Sequence, residues 1–222
     1  MMYRYLLTLL GLGVMIIGLV EGHWFWMAVW LGSSFLALGL AHFGGLHGIF
    51  GKRSNGSLPM WSWIVFMPLH LCTHGLWHLT RLVSREPAYH VVSNDLVVGR
   101  RLLRGEIDGD FANYVDLTAE FSEPGAFRGS PAYFCFPILD GSAPDAEALR
   151  RAVNQLRPGR TCIHCAQGHG RTGLFALAVL LKSGAARTAD DGLHQLQTIR
   201  PGINLSSIQR QCIDDFLQGT VP

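Results

Sequence analysis

Two long apolar runs occupy the N-terminal part of the chain. Residues 5–20 contain no charged side chain, and residues 24–43 follow after a break at Glu21, Gly22 and His23. Each run is close to the roughly 20 residues with which a helix crosses the ~30 Å hydrocarbon core of a bilayer. No small-residue cleavage site separates the two runs, so a cleaved signal peptide is disfavoured. The pattern predicts a helical hairpin in the membrane.

A third apolar segment covers residues 60–83 and is less uniform. It contains Pro68, and its three histidines are spaced four residues apart, which places them on one face of a helix: His70, His74 and His78. They form either a metal site or a polar stripe that faces other helices or the lipid headgroups. We favour the stripe, because no cysteine or carboxylate completes a ligand set with them. The segment either spans the membrane or lies in its interface.

Shorter patterns alternate in the rest of the chain. Two β-branched runs around Ser93, Asn94 and Asp95 predict a β-hairpin over residues 90–102. Further strands are predicted over residues 113–121, 133–139 and 161–165, and helices over residues 145–156, 172–182, 188–200 and 206–218. This order predicts an α/β domain with a mixed sheet flanked by helices.

Charge divides the chain at the same place. The chain has 18 Lys and Arg and 16 Asp and Glu residues, but residues 1–80 carry only four of these: Arg4, Glu21, Lys52 and Arg53. We therefore predict a membrane region over residues 1–86 and a catalytic domain over residues 87–222. A net charge of +2 without a basic run indicates no nucleic-acid partner. Five cysteines without framework spacing indicate thiols in a reducing compartment.

A glycine-rich loop lies between a strand and a helix in the stretch RTCIHCAQGHGRTGLFALAVLL, residues 160–181. Backbone N–H groups of such a loop converge into an anion-binding nest, and the helix N-terminus adds its positive dipole end. Arg171 offers a planar fork that matches phosphate oxygens. Cys165 lies at the start of the loop, where this positive field favours the nucleophilic thiolate. The combination predicts phosphoryl transfer through a phosphocysteine.

The nine residues from His164 to Thr172 resemble the signature loop of the protein tyrosine phosphatase superfamily, H-C-x-x-G-x-x-R-[ST], with every fixed position filled. The resemblance extends over most of residues 90–220 and looks like the compact dual-specificity branch. It implies a cysteine-phosphatase-type mixed sheet flanked by helices. The transmembrane hairpin and the third apolar segment that precede it here are not part of that family's shared domain.

The resemblance also implies roles for single residues. Cys165 would be the nucleophile, and Asp140, 25 residues before it, would be the general acid. Thr172 would assist departure of the thiolate, and His164 would orient the loop and tune the cysteine. Phosphate would be bound without a metal or cofactor by the remaining loop residues: Ala166, Gln167, Gly168, His169, Gly170 and Arg171.

Asp145 is the alternative to Asp140 as general acid. Asp145 looks like the start of a helix, where an acid favours the helix dipole. We favour Asp140, because it directly follows a strand on a loop that can close over the site. Asp116 is expected to be structural, and Gln209 forms a capping box with Ser206.

Cys162 and Cys165 form a C-x-x-C pair, which in redox proteins lies at a helix start. Cys162 lies in a predicted strand and the helix is expected to begin after Arg171, so redox catalysis is disfavoured. A protective disulfide from Cys165 to Cys162 or Cys135 stays open under oxidation.

These observations predict a membrane-anchored phosphatase that hydrolyses phosphomonoesters on phosphoproteins, at Tyr, Ser or Thr, through a phosphocysteine intermediate. One alternative is a phospholipid phosphatase, such as a phosphatidylglycerophosphate phosphatase. The signature loop carries no lysine, which argues against highly charged polyphosphoinositides. Another alternative is an inactive module that binds phosphorylated partners, although such proteins commonly lose the cysteine, arginine or acid. We expect an integral membrane protein with its catalytic domain in the cytoplasm, and leave the oligomeric state open.

Overall fold

The computed structural model describes residues 2–22, 25–106 and 110–219. The chain forms two compact units. The first, here called the apolar unit, comprises Met1–Arg53, Leu58–Arg85 and Ala119–Phe121. The second, the sheet unit, comprises Ser54–Ser57, Glu86–Thr118 and Ser122–Pro222.

The two predicted membrane helices are present in the apolar unit as α1 (Met2–Glu21) and α2 (Trp26–Gly44). The break residue His23 and the predicted start of the second run, Trp24, lie outside the described residues. Among the described helices, these two are long and apolar enough to cross a membrane, with mean hydropathies of 1.7 and 1.4.

Glycines allow α1 and α2 to approach each other closely. A Cβ atom at Gly11 would lie 2.5 Å from the backbone nitrogen of Leu36, and one at Gly32 would lie 2.5 Å from that of Met15. Gly18 and Gly39 repeat the arrangement seven residues, or about two helical turns, further along each helix. Small residues that permit backbone contact are typical of packed membrane helices, where dispersion replaces the hydrophobic driving force.

The third apolar segment is two helices, α3 (Met60–Val65) and α4 (Met67–Val83), rather than one. Pro68 lacks the N–H that would continue the helical ladder, which explains the break at Phe66. The indole N–H of Trp30 on α2 donates to the Val65 carbonyl at 2.8 Å and satisfies one backbone group at the break. With 6 and 17 residues, α3 and α4 are shorter than a typical single span.

The described residues of the sheet unit form five strands and four helices. The strands are β1 (Tyr89–Ser93), β2 (Leu96–Arg100), β3 (Asn113–Thr118), β4 (Tyr133–Ile138) and β5 (Thr161–Cys165). The helices are α5 (Ala146–Asn154), α6 (Gly170–Ser183), α7 (Ala189–Ile199) and α8 (Ser207–Gln218). The sheet has the order β1-β2-β5-β3-β4, with β1 antiparallel to β2 and the other pairs parallel. The predicted mixed α/β sheet flanked by helices is confirmed.

Strand β5 lies in the middle of the sheet, and all five of its residues are buried. Strands β2, β3, β4 and β5 run in the same direction, so their carboxyl ends meet at one edge. Ligands of open α/β sheets bind at this edge. The topology therefore brings Cys165, the last residue of β5, to the position where a ligand site is expected.

Local signals in the sequence account for several helix ends. Asp145 caps α5 by accepting from the Ala148 N–H, and Ser206 and Gln209 form the predicted capping box of α8. Helix α6 is buried on nearly every side, as its apolar composition predicts, but it begins at Gly170, two residues before the predicted start.

Candidate active site

The nucleophile candidate lies at the base of the signature loop. Cys165 is 4% exposed, and its Sγ accepts the N–H of Gly168 at 3.2 Å. Gly168 has a φ of +77°, and a Cβ atom there would overlap the carbonyl group of Gly99 on β2. Glycine is therefore required twice over at this position, by its dihedral angle and by the neighbouring strand.

Donors outside the loop satisfy its backbone carbonyls. The Arg101 N–H donates to the Ala166 carbonyl at 3.3 Å. The guanidinium of Arg200 donates to the carbonyls of Gln167 and Gly168 at 3.0 and 2.9 Å. Three consecutive loop carbonyls are thus held by donors outside the loop.

Arg171 and Asp140 meet at the mouth of the loop. The Arg171 guanidinium donates to the Ile138 carbonyl at 2.9 Å and pairs with the Asp140 carboxylate at 3.0 Å. The Asp140 side chain is 67% exposed, whereas that of Arg171 is 1% exposed. Asp145, the competing acid, is occupied instead as the cap of α5. The structure thus brings Asp140, and not Asp145, to Arg171.

The remaining predicted loop residues lie around the first turn of α6. The Thr172 hydroxyl is buried and donates to the Gly99 carbonyl at 3.4 Å. A Cβ atom at Gly170 would lie 3.3 Å from the side-chain amide of Gln209. Gln209 is therefore beside the loop as well as in the capping box. His169 lies at the rim, with its Nε2 at 2.8 Å from a Glu86 carboxylate oxygen.

His164 is buried behind the loop in a network of charges. Its Nε2 lies 3.8 Å from Glu123 Oε1 and 4.0 Å from Asp116 Oδ1. The Tyr133 hydroxyl donates to Asp116 at 2.6 Å, and the Tyr114 hydroxyl donates to Glu123 at 3.1 Å. Burial, together with these carboxylates, raises the pKa of both phenols, so they stay protonated as donors.

The same network contains a cluster with the composition of a metal site. One ligand-type atom from each of Asp116, Glu123 and His164 lies within 4.8 Å of the others. Arg101 Nε lies 3.4 Å from the Glu123 carboxylate. The Arg101 guanidinium and the two phenol hydrogen bonds offset part of the negative charge of the two carboxylates.

The C-x-x-C pair does not form a redox site. Cys162 packs in a cluster with Val97 and Tyr114, whereas Cys165 belongs to the cluster on the other face of the sheet. Burial raises the pKa of Cys162 to about 12, which keeps this thiol protonated. Because successive strand residues alternate between faces, the two thiols point apart.

The second proposed disulfide partner of Cys165 is also too distant. Strand β3 lies between β4, which carries Cys135, and β5, which carries Cys165. Strands two positions apart in a sheet are separated by roughly 10 Å. A disulfide allows its Cα atoms to be at most about 7 Å apart. A disulfide from Cys165 to Cys162 or Cys135 would therefore require rearrangement of the sheet.

Of the three histidines on α4, two pack against aromatic rings outside α4 and one is exposed. The His70 ring packs 4.8 Å from the Trp63 ring, and the His70 carbonyl interacts with His74 Nδ1 at 2.9 Å. The His74 ring packs 4.7 Å from the Phe121 ring, and His78 is exposed. The aromatic contacts of His70 and His74 support the packing interpretation.

The sequence does not identify four charged residues that lie near the loop: Glu86, Arg101, Glu123 and Arg200. Each is a charged residue that the fold buries at least in part, and charged residues are ordinarily read as surface positions. Arg200 precedes a proline and resembles a simple helix stop. No local pattern distinguishes these residues from solvent-exposed charges.

Comparisons with known proteins agree with this architecture. No protein-family model and no curated protein matches the chain. The chain is similar to the crystal structure of Tk-PTP in the active form, with a TM-score of 0.53 and 22% identity, over 60% of this chain and 97% of that one. It is also similar to the crystal structure of PTPMT1 in complex with PI(5)P, with a TM-score of 0.51 and 14% identity, over 60% and 96%. The mixed sheet and its helices therefore have the fold of the protein tyrosine phosphatases.

Proposed function

We propose that the chain is a membrane-anchored, cysteine-dependent phosphatase of the dual-specificity type. One observation carries the proposal: Cys165 Sγ accepts a loop N–H inside a strand–loop–helix cradle, and Arg171 and Asp140 meet at its mouth. A thiolate at the floor of an anion nest is placed to attack phosphorus. The presence of nucleophile, arginine and acid together favours an enzyme over an inactive phospho-binding module.

The reaction proceeds in two displacements at phosphorus. The Cys165 thiolate attacks, the bond from phosphorus to the leaving oxygen breaks, and Asp140 gives that oxygen its proton. Arg171 and the loop N–H groups bind the equatorial oxygens as charge develops. Water then attacks the phosphocysteine, Asp140 takes its proton, and the P–S bond breaks. Thr172 assists the departing thiolate, and the charge network around His164 holds the loop's first residue.

Phosphorylated Tyr, Ser or Thr side chains of proteins are the first substrate class. A phospholipid phosphomonoester is the second, and the apolar unit favours it. Apart from Val91 and Ile208, the large apolar side chains exposed among the described residues lie before residue 84. Such a surface fits lipid. A solved structure of similar fold, PTPMT1, was crystallised with the phosphoinositide PI(5)P.

Full-length protein in detergent micelles tests the function. Wild type should hydrolyse p-nitrophenyl phosphate, and Cys165→Ser should lower kcat by more than about 10³-fold, because the nucleophile is lost. Cys72→Ser, which changes an exposed thiol on α4, is the matched control and should keep full activity. EDTA should have no effect. If Cys165→Ser kept more than a few per cent of wild-type activity, Cys165 would not be the nucleophile.

A panel of phosphopeptides and phospholipids against the same preparation separates the two substrate classes. A lipid phosphatase should turn over phosphatidylglycerophosphate in mixed micelles with a kcat/KM well above that for any phosphopeptide. A higher kcat/KM for a phosphopeptide than for phosphatidylglycerophosphate would instead make phosphoproteins the substrate class. Tungstate binding without turnover of any substrate would instead support the inactive binding module.

A further inference from the structure

We propose that Glu86 is a positioning residue that holds the signature loop in its anion-binding conformation through Arg200 and His169. The inference rests on the proposed phosphatase function and adds a residue outside the signature motif. In the chain, Glu86 follows the last residue of α4, Val83, by three positions and is the first residue of the Glu86–Thr118 segment of the sheet unit.

Arg200 is the centre of the arrangement. It follows α7, its side chain is 1% exposed, and it donates to the Gln167 and Gly168 carbonyls of the loop. A nest whose N–H groups face an anion turns carbonyls to the other side, and these need donors when they are buried. One planar guanidinium satisfies both carbonyls, which an ammonium group cannot do with the same geometry.

A buried guanidinium needs a counter-charge, and Glu86 provides it. The Arg200 Nη2 lies 2.7 Å from Glu86 Oε2. Burial lowers the pKa of Arg200, and the nearby Glu86 carboxylate opposes that shift. Removal of one partner from a buried ion pair leaves an uncompensated charge, which is strongly unfavourable. Without Glu86, Arg200 would therefore gain by turning away from the loop towards water.

Glu86 also contacts the loop directly. The same oxygen, Oε2, lies 2.8 Å from Nε2 of His169, so one carboxylate oxygen joins a loop side chain to the arginine that holds the loop carbonyls. The backbone at Gly202 also packs closely against the His169 ring, since a Cβ atom there would overlap it. His169 thus contacts both the Glu86 carboxylate and the Gly202 backbone. A shorter or neutral side chain at position 86 cannot keep both charge-assisted contacts.

Tungstate affinity and turnover of the full-length protein in micelles test Glu86. Loss of a hydrogen bond to a charged group costs roughly tenfold to a hundredfold. Glu86→Gln should weaken tungstate binding, measured by calorimetry, by that factor and lower kcat/KM for p-nitrophenyl phosphate in parallel. Glu147→Gln is the matched control, because it removes a carboxylate that pairs with Arg150 on the surface of α5. It should change neither the tungstate affinity nor kcat/KM by more than about twofold.

A double-mutant cycle with Arg200→Lys shows whether Glu86 acts through Arg200. The cycle is read out as tungstate affinity. If it does, Glu86→Gln should add less than about threefold to the loss already caused by Arg200→Lys, because coupled residues are not additive. The proposal would be overturned if the loss of tungstate affinity in the double variant equalled the product of the two single losses. It would also be overturned if Glu86→Gln left the tungstate affinity unchanged.

Two further outcomes are decided by the same measurements. If Glu86→Gln fails to fold by circular dichroism, Glu86→Asp replaces it, because it keeps the charge but shortens the reach to both partners. Unchanged tungstate affinity in Glu86→Asp overturns the proposal. If wild type binds tungstate but hydrolyses nothing, the proposed function fails, whereas the tungstate affinities still test the positioning role.

Discussion

At the scale of single residues, the most informative pair is Asp140 with Arg171. The arginine is buried and held by a backbone carbonyl, whereas the aspartate is mostly exposed on a turn after β4. Under the proposed mechanism, Asp140 is therefore the member of the pair that moves when a phosphate replaces it on the guanidinium. Its position leaves it at the mouth of the loop, where a leaving oxygen would emerge.

Asp140→Asn tests this residue as general acid. We expect kcat to fall by about 10²–10⁴-fold for a poor leaving group such as an alkyl phosphate, since an amide cannot give up a proton. The loss for p-nitrophenyl phosphate should be smaller, because its leaving group needs little protonation. Asp145→Asn is the control, and asparagine still caps α5, so activity should stay within about twofold. Equal losses for both leaving groups, or a larger effect at Asp145, would reassign the acid.

At the scale of elements, the close contact between α1 and α2 depends on glycines, which have no side chain. A Cβ atom at Gly11 or at Gly32 would lie too close to a backbone nitrogen of the opposite helix for any side chain to fit. A Cβ atom at Gly13, two residues along α1 from Gly11, would have no neighbouring atom within 4 Å. The same residue type on the same helix therefore has a packing role at one position and none at the other.

Gly11→Leu and Gly13→Leu form a matched pair that tests this interface. Both changes add the same apolar volume to α1, but only Gly11→Leu forces the helices apart. Overpacking typically costs about 1–3 kcal/mol, so we expect a clear fall in thermal stability in micelles for Gly11→Leu. Gly13→Leu should have little effect or stabilise α1 slightly. Similar stabilities for the two variants would show that the hairpin does not depend on close backbone contact.

At the scale of the whole molecule, the charge pattern suggests an orientation in the membrane. If α1 and α2 cross the membrane as a hairpin, as we propose, the chain returns to the side on which it started, so Arg4, Lys52 and Arg53 share one face. If α3 and α4 lie in the interface, as their break and length favour, Arg81 and Arg85 share that face too. Positive residues concentrate on the cytoplasmic side. We therefore propose a cytoplasmic catalytic domain, where a reactive thiolate also stays reduced.

Reporter fusions in a bacterial host test the orientation. Green fluorescent protein fused after residue 222 should fluoresce, and alkaline phosphatase at the same place should be inactive. As the control, a fusion after Gly22, between α1 and α2, should give the opposite pattern, because that turn faces the other side. Active alkaline phosphatase after residue 222 would mean that the third segment spans the membrane and that the catalytic domain lies outside.

The sequence alone determined the features that depend on neighbours within a few residues. The two apolar helices, the β-hairpin, the caps at Asp145 and Ser206 and the strand–loop–helix around Cys165 are all local patterns, and the structure contains each of them. Hydrophobic periodicity and capping act over one or two turns, so they can be read directly from the chain. The fold class followed from their order.

Only the tertiary structure decided which distant residues surround the loop. Glu86 and Arg200 are 114 positions apart in the chain, yet they form an ion pair at 2.7 Å. The buried charges around His164 likewise depend on which strands are neighbours, because Asp116 comes from β3 and His164 from β5. A charged side chain is read as exposed unless the fold supplies a partner, and that partner is chosen by long-range packing rather than by local sequence.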